Sequence, residues 1–219
     1  MAKLVFDKEG ERFYETGVSD CALFVMEAGA YGQGVAWNGI TAITESPSGA
    51  EPSPLYADNI KYLNLISAEE FGATVEAYTY PDEFAACDGS AELYTGVVMG
   101  QQPRKTFALA YKTKVGNDVD GNAKGYKIHL IYGCKAAPSE RAYATVNDSP
   151  EAITFSWELS TTPVSFGDAH KPTACITIDS TKVDASKMTA LEELIYGTES
   201  KEPKMPMPED LKTIFSAAG

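Results

Sequence analysis

The sequence predicts a mainly β domain. It has a β-sandwich body of antiparallel strands, a flanking α-helix, a long loop arm near 46–54, and a C-terminal arm at 201–219 with a short helix. Three observations predict it. Apolar and polar residues alternate at period two along most of the chain, as strands with one buried face do. Helical spacing is confined mostly to the end. At 44% hydrophobic and 22% charged residues the composition is that of a globular protein, and 219 residues fit one large domain, taken as 1–200.

Strand candidates open at 21–27, 35–45, 56–65 and 72–80. Between the second and third lies Ser46-Pro-Ser-Gly-Ala-Glu-Pro-Ser-Pro54, which contains nothing able to form a core. It reads either as an exposed loop with no order of its own or as an arm that orders against another molecule, with Ser46 and Glu51 as candidate subunit-interface residues. A single helical turn is expected at Ala68–Phe71. Phe107, Leu109, Tyr111, Thr113 and Val115 alternate with Thr106, Ala108, Ala110, Lys112 and Lys114; Tyr126, Ile128, Leu130 and Tyr132 alternate with Lys127, His129 and Ile131. The turn-rich Gly116–Asn122 between them makes a long antiparallel hairpin. Further strands are expected at 139–146, at 153–159 and at 173–179. In the second of these, Ile153, Phe155, Trp157 and Leu159 share one face.

Met188, Leu191, Leu194 and Ile195 recur at helical spacing, with Asp184 or Ser186 as cap and Gly197 as stop. Three prolines in Lys201–Pro208 require an extended linker. Pro208, Glu209 and Asp210 then open a short helix whose apolar face is Leu211, Ile214 and Phe215. Those three are candidate subunit-interface residues: the helix is expected either to contact a neighbouring subunit or to fold back over the sandwich edge.

The formal net charge of −13 argues against binding nucleic acid by phosphate neutralisation. Charge is also segregated along the chain. Glu45–Glu92 carries ten acids against Lys61 alone, whereas Arg104–Arg141 carries eight bases against three acids. Opposite fields on one domain favour head-to-tail association. No run of apolar residues is long enough to cross a membrane as a helix, and no secretory leader is expected at the N-terminus.

The residues offer little catalytic chemistry. Cys21, Cys87, Cys134 and Cys175 are far apart and form no CxxC, so they are expected to be reduced packing residues rather than zinc ligands. His129 lies within a strand and His170 in a loop, and no nucleophile-elbow motif accompanies them. Adjacent acid pairs such as Glu69 and Glu70 point apart, unlike the paired carboxylates of a glycosidase. Asp118–Asn122 fails as a calcium loop because Gly121 falls at its fourth position rather than its sixth. The expectation is no enzyme, no cofactor and no metal.

Several segments resemble the major tail proteins of long-tailed, non-contractile bacteriophages. They are Leu55–Asn64, Glu69–Asp82, Gly125–Gly133, Asn147–Glu158 and Leu191–Thr198. The resemblance implies a tail-tube subunit with two packed β-sheets and a flanking helix, six copies per ring, and rings stacked into a hollow tube that delivers the genome DNA. It implies partners of the same phage: the tape measure protein and the tail terminator and baseplate proteins. It implies assembly in the bacterial cytoplasm and residence in the virion tail. DNA passing through such a lumen without specific binding calls for an acidic wall, for which Glu76 is the lumen-facing candidate. A monomeric carbohydrate-binding β-sandwich is the alternative reading.

Overall fold

The computed structural model describes residues 3–146, 148, 151–167 and 170–216. Asn147, Ser149 and Pro150, Asp168 and Ala169 beside His170, and the last three residues of the C-terminal arm lie outside the described residues. Strands β1 (Tyr14–Glu27), β2 (Ala30–Tyr31), β3 (Val35–Ala36) and β4 (Ile40–Glu45) come first. Strands β5 (Ser48–Gly49), β6 (Pro52–Ala57), β7 (Ile60–Ile66) and β8 (Glu69–Glu70) follow, then β9 (Gly72–Ala77). A 3-10 turn at Asp82–Ala86 leads to the hairpin β10 (Ala91–Tyr94) and β11 (Val97–Met99). The long pair β12 (Phe107–Asn117) and β13 (Gly121–Ala136) precedes β14 (Phe155–Ser160), β15 (Cys175–Asp179), α1 (Ala185–Tyr196) and α2 (Pro208–Ser216).

The body is one antiparallel sheet in the order β2-β1-β12-β13-β14-β9-β4, with β15 added to β13 and β3 to β1. It folds over on itself as a sandwich and does not close into a barrel. The fold occurs on β13, whose Lys127–Ile131 pair with β15 while Lys135 and Ala136 pair with β14. Gly133 stands between those two stretches at φ 62°. A Cβ there would run into the Thr162 backbone, and the β12–β13 register slips at the same place. The result is a glycine bulge that bends the strand from one sheet into the other. Side-chain parity shifts with it: Ile131 faces the inner core before the bulge, and Cys134 and Ala136 face it after.

Two apolar layers follow. Between the sheets, Leu23, Leu109 and Ile131 meet Val75, Trp157 and Leu159. Trp37, Phe84 and Trp157 pack there with ring centroids 4.4–5.6 Å apart. On the opposite face of β1, β12 and β13, the small Ala22, Ala108 and Ala110 let α1 approach, and Met188, Leu191 and Ile195 bury against Ile128 and Leu130. Strand β12 is therefore buried on both faces, and the one wet face expected of it is covered by helix. Asp184 and Gly197 flank α1 as the sequence predicts.

The C-terminal segment takes the second of its two expected positions and folds back. Leu211 is buried in the helix-side layer, with Ile214 and Phe215 packed against it. Tyr132 Oη donates to the Pro206 carbonyl at 2.8 Å, and Lys187 Nζ donates to the Phe215 carbonyl at 3.1 Å. Two expectations fail. Residues 139–146 form no strand; 142–146 are exposed and pair with no strand among the described residues, and Arg141 instead pins the segment by an ion pair to buried Asp88. Ala68–Phe71 forms no helical turn, because Glu69 and Glu70 pair as β8 with β5.

Leu211→Ala should lower subunit stability by about 2–3 kcal/mol, the cost of a cavity in a closed apolar layer. Urea unfolding followed by tryptophan fluorescence measures it. An unchanged midpoint would mean that α2 adds nothing to the subunit's own core.

Candidate assembly surface

The most prominent surface is a projecting arm. After Glu45 the chain leaves the sheet, runs out through β5 and β6, turns at Asp58-Asn59 and returns through β7 and β8. Asp58 and Asn59 have φ of 49° and 64°, both left-handed, as the two-residue turn of a tight hairpin requires. Pro52 pairs with Ile66, Leu55 with Leu63 and Ala57 with Ile60. Every residue of β6 and β7 is exposed, and among the described residues the two strands pair only with each other. Yet the arm is apolar: Tyr56, Ile60, Tyr62 and Ile66 are 64–71% exposed. Monomeric proteins do not ordinarily leave so contiguous an apolar patch in water.

The arm is tied down at its root. Glu45 shares the inner face of β4 with Ile43 and reaches across to the opposite sheet. Its carboxylate accepts a hydrogen bond from Tyr111 Oη at 2.7 Å and lies 3.4 Å from His129 Nδ1. The His129 ring stacks on Tyr111 with centroids 4.7 Å apart, and its Nε2 lies 2.9 Å from Thr113 Oγ1. Hydrogen bonding from His129, joined by that from Tyr111, holds the Glu45 carboxyl below its ordinary value against the opposing effect of partial burial. Beside it, the Ser46 N–H donates to the Gly72 carbonyl at 2.8 Å.

A second hairpin, β10–β11, also projects, with Leu93, Tyr94, Val97 and Val98 exposed. Leu4 and Phe6 of the N-terminal segment are exposed as well. On the outer face of β4, β9 and β14, Glu76 lies beside Ser156 and next to Glu158's strand position, while Val75 and Trp157 point inward.

The predicted site residues fall in three places. Ser46 and Glu51 sit at the arm's root, Glu76 on the open face of the second sheet, and Leu211, Ile214 and Phe215 on the chain's own helix-side layer. Sequence reasoning placed the arm at 46–54 and missed its apolar half, residues 55–66. The signal was present: Ile60-Lys-Tyr-Leu-Asn-Leu-Ile66 has almost no polar face. Most bases of the segment 104–141 have a carboxylate partner within the fold. Arg104, Lys105, Lys112, Lys124, Lys127 and Arg141 each have a carboxylate within 4.0 Å. Among the described residues, no group of three or more His, Cys, Asp and Glu is placed to hold a metal, and no helix is long and apolar enough to cross a membrane. Cys21 and Cys87 are buried, and burial pushes each thiol up to about 12.

No family model matches this chain, and no curated protein matches it. Among solved structures, a chain of the "Cryo-EM structure of the anti-feeding prophage (AFP) baseplate, 6-fold symmetrised" is a weak structural neighbour. It is 9% identical with a TM-score of 0.39, over 82% of this chain and 100% of that one. A likeness of that degree assigns neither fold nor function.

Because the folded Glu45 carboxyl is depressed, its anchoring contribution is complete above the ordinary carboxyl value of 4.5 and is lost as pH falls through the lower folded value. Amide exchange of β4 and β9, corrected for intrinsic pH dependence, should therefore rise on acidification below that value. In Glu45→Gln it should already be raised at neutral pH and show a weaker acid step. Identical profiles in the two proteins would contradict the anchor.

Proposed function

We propose that this chain is a structural subunit of a bacteriophage tail tube. It self-assembles into stacked hexameric rings through which genome DNA passes to the host cell. The observation that carries the reading is the arm: a rigidly rooted hairpin, apolar along its length, on a body whose own cores are complete without it. Such a surface is built to be covered by protein. The sequence resemblance supplies the kind of assembly, with the tape measure, tail terminator and baseplate proteins as further partners, assembly in the host cytoplasm and the virion tail as destination. The chain acts by shape and contact rather than by catalysis, with no cofactor.

The polar outer face bearing Glu76 and Glu158 suits a channel wall, since carboxylates repel phosphates and let DNA slide. Apolar burial drives the association, because most of the bases of the 104–141 segment already have partners within the chain.

Negative-stain microscopy of the purified chain in plain buffer should show rings or tubes. Assembly should persist at about 1 M salt, where the Debye length is only about 3 Å. Removing residues 50–68 should leave a folded protein of subunit mass that forms neither. A wild-type chain that stays at 23.5 kDa at all concentrations would overturn the proposal, and tubes that dissolve in salt would overturn the apolar driving force.

A further inference from the structure

We propose that Asn38 is a site of spontaneous deamidation, at the turn that carries the chain from the first sheet to the second. The proposal is independent of the assembly reading above. Strand β3 pairs with β1 in one sheet and β4 with β9 in the other. Asn38 and Gly39 make the turn between them; both are exposed, and Gly39 takes φ 79°. Of the chain's asparagines, Asn38 alone is followed by glycine.

The reaction is an internal acyl transfer. The Gly39 backbone nitrogen attacks the Asn38 Cγ and closes a five-membered succinimide ring. The bond from Cγ to the side-chain nitrogen breaks, and that nitrogen leaves as ammonia with the proton given up by Gly39. Water then opens the ring at either carbonyl, giving aspartate or isoaspartate, in which the main chain runs through the side-chain carboxyl. Two features leave the first step open. Glycine has no Cβ to crowd the attacking nitrogen. The Gly39 N–H donates to no backbone group among the described residues, and no hydrogen bond from the Ile40 N–H to the Trp37 carbonyl closes the turn. No bond has to break before the nitrogen attacks.

Other asparagines lack one feature or the other. Asn117 is buried, its Nδ2 donating to the Gly10 carbonyl at 3.0 Å and its Oδ1 accepting from the Asp120 N–H at 2.6 Å. Asn122 Oδ1 accepts from Tyr14 Oη at 2.8 Å. Asn59 and Asn64 are exposed but precede the bulky Ile60 and Leu65.

The product alters the crossing. Asn38 lines the same cavity as Asp20 and Lys112, so either product adds a carboxylate there. Isoaspartate also lengthens the main chain by one carbon, in a segment with no slack. Trp37 is buried, with its N–H on the Cys21 carbonyl and its Nε1–H on the Thr79 carbonyl, each at 2.8 Å. On the far side the Tyr78 N–H holds the Gly39 carbonyl at 2.8 Å, and Ile40 pairs with Ala77. The added atom displaces the start of β4, the strand whose other end roots the arm.

The test keeps the folded full chain in mildly alkaline buffer at physiological temperature for days and maps its peptides by mass spectrometry. Conversion at position 38 should run at least tenfold faster than at positions 59, 64 and 122 and should quicken as pH rises. Isoaspartate should be the major product, labelled by an isoaspartyl methyltransferase. Asn38→Gln, which would need a less readily formed six-membered ring, should lose that label. In the aged protein amide exchange of β4 should be raised and that of α1 unchanged. Equal rates at the four asparagines, or aspartate without isoaspartate at position 38, would overturn the proposal. So would conversion seen only after unfolding in urea, since the folded turn would then be protective. A fully converted chain with unchanged β4 exchange would overturn the effect on the crossing.

Discussion

The fold depends on one strand belonging to two sheets. Strand β13 pairs with β12 as far as Cys134, and on its other edge with β15 before Gly133 and with β14 after it. A side chain there would face both a left-handed φ and the Thr162 backbone. Without the bulge, the parity of the strand would carry Cys134 and Ala136 out of the inner core, and the strand pairing that joins the second sheet to the first would be lost. Everything that projects from the body is positioned through that bend, because β4 and β9, which root the arm, hang on β14 and hence on the last residues of β13.

The two apolar layers divide the labour. The inner one is aromatic and sealed by hydrogen bonds: Trp157 Nε1 donates to Asp88 Oδ1 at 3.0 Å, and Trp37 Nε1 donates to the Thr79 carbonyl at 2.8 Å. Asp88 is buried but compensated, with Arg104 and Arg141 as its cationic partners. Removing both arginines would leave the Asp88 carboxylate an unpaired buried charge. The helix-side layer is aliphatic and is closed by α1 and the returning C-terminal segment. Lys112 holds α1 to the sheet, 2.6 Å from Glu192 and near the Tyr126 and Tyr196 rings. A body finished in this way has no need of the arm for its own stability. The arm's apolar surface is therefore available for contacts outside the subunit.

The body was legible in the sequence because period-two alternation and helical spacing are local signals. Phe107–Val115, Tyr126–Tyr132, Trp157 and Met188–Ile195 all sit where those patterns place them. The same logic overreached at 139–146, where alternating residues have no neighbouring strand, and at 56–65, where one apolar run hides two strands. The Asp58-Asn59 pair marks that turn, since both residue types tolerate left-handed φ. The root contact of Glu45 with Tyr111 and His129 joins residues 66 or more positions apart and leaves no local trace. Nor does the sequence show that β12 is buried twice, because the cover comes from helices far along the chain.

In the proposed assembly the arm's apolar faces would be covered, and in the free subunit they are not. Amide exchange of β6 and β7 as a function of protein concentration tests it most directly. Protection at Ile60–Ile66 should appear only as rings form, while the amides of β12 and β13 stay equally protected throughout. Arm amides already protected in the dilute monomer, or still unprotected in formed tubes, would contradict it.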